Sequence, residues 1–138
     1  MKLRTFNRNV LILLVVLLTP WLVFAAQDNA LIQVKTAMLH ATFASKATDV
    51  AQTHMHLHHV INCLVGPNGE GFDASAGNPC QGQGNGALND MAGSMQEKET
   101  LEQALALAKI GVKIQDQKSD NYTTMAVKSL LEKAVQGK

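Results

Sequence analysis

All five histidines of this chain lie between His40 and His59, and four of them (His54, His56, His58 and His59) fall within six residues. Neutral imidazole is the commonest protein ligand for transition metals, and copper, zinc and nickel all accept it. On a helix, residues four apart share a face, whereas residues two apart do not. His54 and His58 can therefore present two rings to one ion, and His56 and His59 make a second pair on another face. If the chain reverses near Lys46 to Thr48, His40 comes level with His54, although Gln33 and Thr36 share its side of the helix. The expected metal set is thus His54 and His58, helped by His40, His56 or His59. Met38 and Met55 offer soft ligands for Cu(I), and Asp49 is a nearby carboxylate. Protonated imidazole cannot ligate, so affinity is expected to fall below a pH of about 6.5.

Two other readings stand beside this one. The histidines can be an incidental polar face of a helix, or they can hold a non-covalent haem in a bundle core, the lesser alternative. The patterns for catalysis are missing. His54-Met-His-Leu-His58 lacks the Glu of the zinc-hydrolase pattern His-Glu-x-x-His. No Cys-x-x-Cys-His supports covalent haem attachment, and no nucleophilic triad or phosphate loop is recognisable. Met91 and Met95, four apart, read as packing. Glu70, Asp73 and Asp90 fit no EF-hand spacing and read as solvated turn residues. The expectation is a binding protein and not an enzyme.

The elements that must position these residues follow an export segment. Lys2, Arg4 and Arg8 precede the apolar run from Val10 to Leu18, Pro20 breaks it, and Val23-Phe24-Ala25 matches a signal-peptidase site. Residues 1–25 are expected to be a signal peptide cleaved after Ala25, with a periplasmic product and no membrane span in the mature chain. Residues 26–138, 113 in number, then form a single helical domain with a modest core. Nine Lys face eleven Asp and Glu there, a net charge of 9 − 11 = −2 with His neutral. All the Arg leaves with the signal, which argues against a nucleic-acid partner. Phe43, Phe72 and Tyr122 are the aromatics that remain, so the core must be built from small and aliphatic side chains, a composition suited to closely packed helices.

Residues 31–65 lack Gly and Pro and carry helical periodicity through Leu31, Val34, Met38, Ala41 and Ser45, then Val50, His54, Leu57, Ile61 and Leu64. Thr48 or Asp49 can cap a second helix, so two helices or one long one fit this stretch. Gly66-Pro67 ends it. From about residue 66 to 93 the chain turns to Gly, Asn and Pro, a long loop that carries Cys80 and starts just after Cys63. Two Cys in an exported protein, with 16 residues between them, are expected to form one disulfide. Ser94 and Glu97 form a capping box that restarts the helix. Leu101, Ala104, Leu105, Ala108 and Val112 supply its stripe. Asp120 can cap a last helix whose stripe is Val127, Leu130, Leu131 and Ala134. The predicted fold is all-α: a four-helix bundle of two helical hairpins joined by a Gly-rich, disulfide-tied loop.

Ala37-Met-Leu-His40-Ala41 resembles the Ala-Leu-x-His-Ala repeat of the small metal-binding protein family of bacterial periplasms, with Met38 in place of Leu. His54 and His58 fall on the later His-bearing helix of that pattern. In the second half the corresponding place is Leu107-Ala108, where the ligand is missing, and the Gly-rich loop with Cys63 and Cys80 is foreign to the pattern. The resemblance implies exported helical bundles that bind copper and other divalent metals, for sequestration, resistance or trafficking. The alternative is a structural or interaction module of the cell envelope, whose loop engages a protein partner.

Overall fold

A computed structural model describes residues 29–136, and the export segment and its cleavage site lie outside them. The described residues are helical, with no strand among them. The first helix, α1, covers 29–46, and the second, α2, covers Val50–Val65. A 3₁₀ turn at Ala74–Ala76 and a short helix α3 at Ala87–Asp90 interrupt the Gly-rich stretch. Helix α4 covers Met95–Gly111 and α5 covers Gln117–Gln136. None of these helices is long and apolar enough to cross a membrane.

Residues 31–65 are therefore two helices, and the reason is local. Asp49 adopts an extended backbone and its Oδ1 accepts the Gln52 N–H at 2.9 Å, which starts a new helix where the old one ends. At the far end Gly66 has φ +70°, and its N–H returns to the Asn62 carbonyl. Ser94 and Glu97 make the expected capping box at α4. The start of α5 differs from expectation. Asp116 is the residue that caps it, its Oδ2 accepting the Ser119 N–H at 2.8 Å. Asp120 instead lies one turn inside and is fully buried.

The apolar stripe of α1 is also rotated from the one expected. Ala37, Ala41 and Ala44 are its fully buried line, with Ala30 and Val34 continuing it, and Met38 sits at the margin of the core. Small side chains let a neighbouring helix approach closely, so the alanines take the centre and the bulkier residues border them. They meet Leu57, Val60 and Leu64 of α2, Leu101, Ala104 and Ala108 of α4, and Val127 and Leu131 of α5 in one cluster.

The Cys63–Cys80 disulfide is formed, with Cα atoms 5.3 Å apart, and it ties the loop to the last turn of α2. The ends of that loop meet. A Cβ on Gly66 would lie 1.9 Å from the Asn85 carbonyl oxygen, and one on Gly86 would strike the Val65 backbone. Both positions have positive φ as well, so glycine is required on two counts. Gln33 of α1, almost fully buried, locks the closure by donating to Asp90 Oδ2 at 2.8 Å and accepting from the Gly86 N–H at 2.8 Å.

Candidate metal centre

The reversal between α1 and α2 is centred on residues 47–49, which places His40 of α1 opposite His56 and His59 of α2. His40 Nδ1 lies 3.2 Å from His56 Nδ1 and 3.1 Å from His59 Nδ1. The three side chains converge closely enough for one ion, their ligand atoms all within 4.8 Å of one another. Ligand nitrogens about 2.0–2.1 Å from a tetrahedral zinc are about 3.3 Å from each other, so the spacing fits. All three rings are half-buried between the helices.

His59 Nε2 lies 2.7 Å from the Ala76 carbonyl oxygen, an acceptor only, so in the neutral ring the N–H is on Nε2 and Nδ1 is a bare lone pair. A proton on His40 Nδ1 can then serve His59, and the His56 contact is left without one. A proton on His56 Nδ1 leaves the His40–His59 contact as two facing lone pairs. Neutral rings cannot satisfy both contacts, whereas one cation at the convergence satisfies all three nitrogens. The Ala76 contact is itself the kind of outer partner that ligating histidines use to fix tautomer and ring orientation.

Electrostatics favour the unprotonated form of His40 and His56. Burial, then the neighbouring His59 and His56, lowers the pKa of His40 from the ordinary 6.5 to about 4. Burial first, and His59 second, also lowers that of His56. Charging one ring beside the others in a partly dry site is unfavourable, so these two rings stay neutral at pH values where a free imidazole would be protonated. Phe43 closes one side, its ring 5.7 Å from His40 and 5.3 Å from His56, centroid to centroid.

His54 and His58 lie apart from this cluster. His54 turns toward the junction of α4 and α5, where Nε2 donates to the Ile114 carbonyl at 2.9 Å and stands 3.3 Å from Asp120 Oδ2. Both Asp120 oxygens are buried without a hydrogen bond, and burial, only partly offset by His54, raises that carboxyl's pKa. His58 faces the loop, with Nδ1 3.5 Å from Asp73 Oδ2. Of the residues expected as ligands, the structure thus brings together His40, His56 and His59. One feature of sequence pointed there, the three-residue spacing of His56 and His59; His40 was expected level with His54 and instead meets this pair, because the reversal lies at residues 47–49. Ala76, whose carbonyl meets His59, carried no such signal.

Comparison with known proteins finds no matching family model, no matching curated protein and no matching solved structure.

Proposed function

We propose that this chain binds a transition-metal ion through the Nδ1 atoms of His40, His56 and His59, copper by preference, and serves sequestration, resistance or trafficking in the periplasm. The observation that carries this reading is the convergence of three imidazole nitrogens, 3.1 and 3.2 Å from the central one, with His59 oriented by the Ala76 carbonyl. Three neutral nitrogen donors suit Cu(II), Zn(II) and Ni(II), and Cu(II) heads the affinity order among them. The reading includes cleavage of residues 1–25, a four-helix bundle of two hairpins as the scaffold, and binding without catalysis.

Calorimetry of the exported, tag-free protein with Cu(II), Zn(II) and Ni(II) tests it. The wild type should bind one ion per triad. Replacing any one of His40, His56 or His59 by Ala should weaken binding by at least the 10–100-fold or so that losing an outer-shell partner costs. His54→Ala with His58→Ala should weaken binding less than any of these, because neither ring joins the cluster. No binding by the wild type would leave the envelope interaction module as the better account, and copper binding lost only in the His54/His58 variant would place the site elsewhere.

A further inference from the structure

The loop that the disulfide ties down meets His59 at the Ala76 carbonyl oxygen, and the Asn62 side chain bonds the backbone on either side of that residue. Asn62 is fully buried on α2, one turn beyond His58. Its carboxamide makes three hydrogen bonds to the loop backbone: Nδ2 donates to the carbonyls of Asp73 and Gly77, both at 2.7 Å, and Oδ1 accepts the Asp73 N–H at 2.8 Å. These bonds bracket the 3₁₀ turn Ala74–Ala76, with Asp73 before it and Gly77 after it. Asp73 caps the turn by accepting the Ser75 N–H at 2.9 Å. Gly77 closes it with φ +88° and an N–H bonded to the Ala74 carbonyl. The next anchor along the chain is Cys80, joined to Cys63 one residue after Asn62.

Asn62 and His59 are three residues apart on the same helix, so the clamp and the ring it serves move as one rigid body. The turn is held from both ends, and its carbonyl at Ala76 is thereby fixed 2.7 Å from His59 Nε2. We infer that Asn62 is the positioning residue of the metal centre: by clamping the turn it holds the Ala76 carbonyl on His59 Nε2, which keeps Nδ1 of His59 unprotonated and aimed at His40 and His56. Nothing in this assignment requires Asn62 to touch the ion. It deepens the proposed function and rests on it. The consequence is that a buried carboxamide outside the ligand set governs affinity, because a free His59 would divide its proton between two nitrogens and rotate about its side-chain torsions.

The test uses the exported, oxidised chain, ¹⁵N-labelled, with Zn(II) as the probe and two variants, Asn62→Ala and Gly77→Ala. Gly77 is exposed, and a Cβ there meets only His59 Nε2, at 3.8 Å, so this second variant strains the turn through its backbone and leaves the helical core alone. Nitrogen-detected imidazole spectra of the metal-free wild type should show His59 protonated on Nε2. Both variants should show mixed His59 tautomers, an unchanged His54 tautomer and unchanged helicity, with Zn(II) binding about 10–100-fold weaker. A folded Asn62→Ala or Gly77→Ala protein that binds Zn(II) as tightly as the wild type would overturn the inference, as would a wild-type His59 protonated on Nδ1. If Asn62→Ala does not fold, Gly77→Ala decides the matter alone. A wild type that ignores Zn(II), Cu(II) and Ni(II) alike would sink the metal-binding reading itself, and the metal-free spectra would still judge whether the clamp sets the His59 tautomer.

Discussion

At the residue scale the five histidines separate into three environments that their one-dimensional crowding conceals. His56 and His59 face α1, His54 faces the α4–α5 junction, and His58 faces the loop. That a pair three apart shares a face was legible from helical spacing alone. Which pair would find a third ring depended on the side against which α1 packs, and spacing is silent about that. The pH response belongs to this scale too. In the unfolded chain His40 takes up a proton near pH 6.5, whereas in the folded protein it does so only near 4. Between those values the unfolded state binds more protons, so the contribution of His40 to stability is complete above about 6.5 and is lost as pH falls toward about 4. Urea midpoints measured at pH 7.5, 5.5 and 4 should therefore fall more steeply for the wild type than for His40→Asn, and parallel curves would contradict the assignment. The same lowering, shared by His56, should also let metal stay bound below the ordinary imidazole range, a later release than the sequence led one to expect.

At the scale of elements, capping residues were readable because a cap acts within four residues. Asp49, Gly66 and the Ser94–Glu97 box all occur where spacing placed them. Asp116 and Asp120 show where such reading stops. Both are acidic and both stand near the start of α5, and the exposed one caps while the other is buried beside His54. Because burial raises the Asp120 pKa, with His54 opposing, the folded state holds that proton more tightly than the unfolded chain does. Stability from this group is full below about 3.9 and is lost as pH rises through the raised value. Asp120→Asn, which is isosteric and uncharged, should raise the melting temperature more at pH 7 than at pH 4. Thermal melts followed by circular dichroism would show this, and a larger loss at pH 7 would mean that the His54 pairing outweighs the burial. Ser94→Ala should cost about 1 kcal/mol through the lost box, read from the shift of a denaturation midpoint.

For the whole molecule, the disulfide and the core share the work of holding a domain with few aromatics. Leu57 is fully buried at the centre of α2 and reaches toward Gly111 at the end of α4. Leu57→Ala should therefore cost about 2–5 kcal/mol, the range for deleting a buried aliphatic side chain, measured by chemical denaturation. Replacing Cys63 and Cys80 together by Ser should cost about 3 kcal/mol on the chain-entropy account of a bridge across 17 positions. An unchanged denaturation midpoint in that variant would show that Gln33 and the Gly66–Gly86 approach already close the loop without it.

The sequence alone determined what depends on neighbours a few positions away: helices as the secondary structure, the caps that could start or end them, the Gly-rich loop, the cysteine pairing and the crowding of imidazoles on α2, while one helix or two over residues 31–65 was left open. Their common cause is that caps, turns and periodic faces act over short distances along the chain. The tertiary structure alone decided which rings meet, which carboxylate is buried and which loop carbonyl orients His59. Those outcomes are set by how α1, α5 and the stapled loop pack around α2, through contacts between residues such as Asn62 and Gly77 or His40 and His59, and no local pattern encodes them.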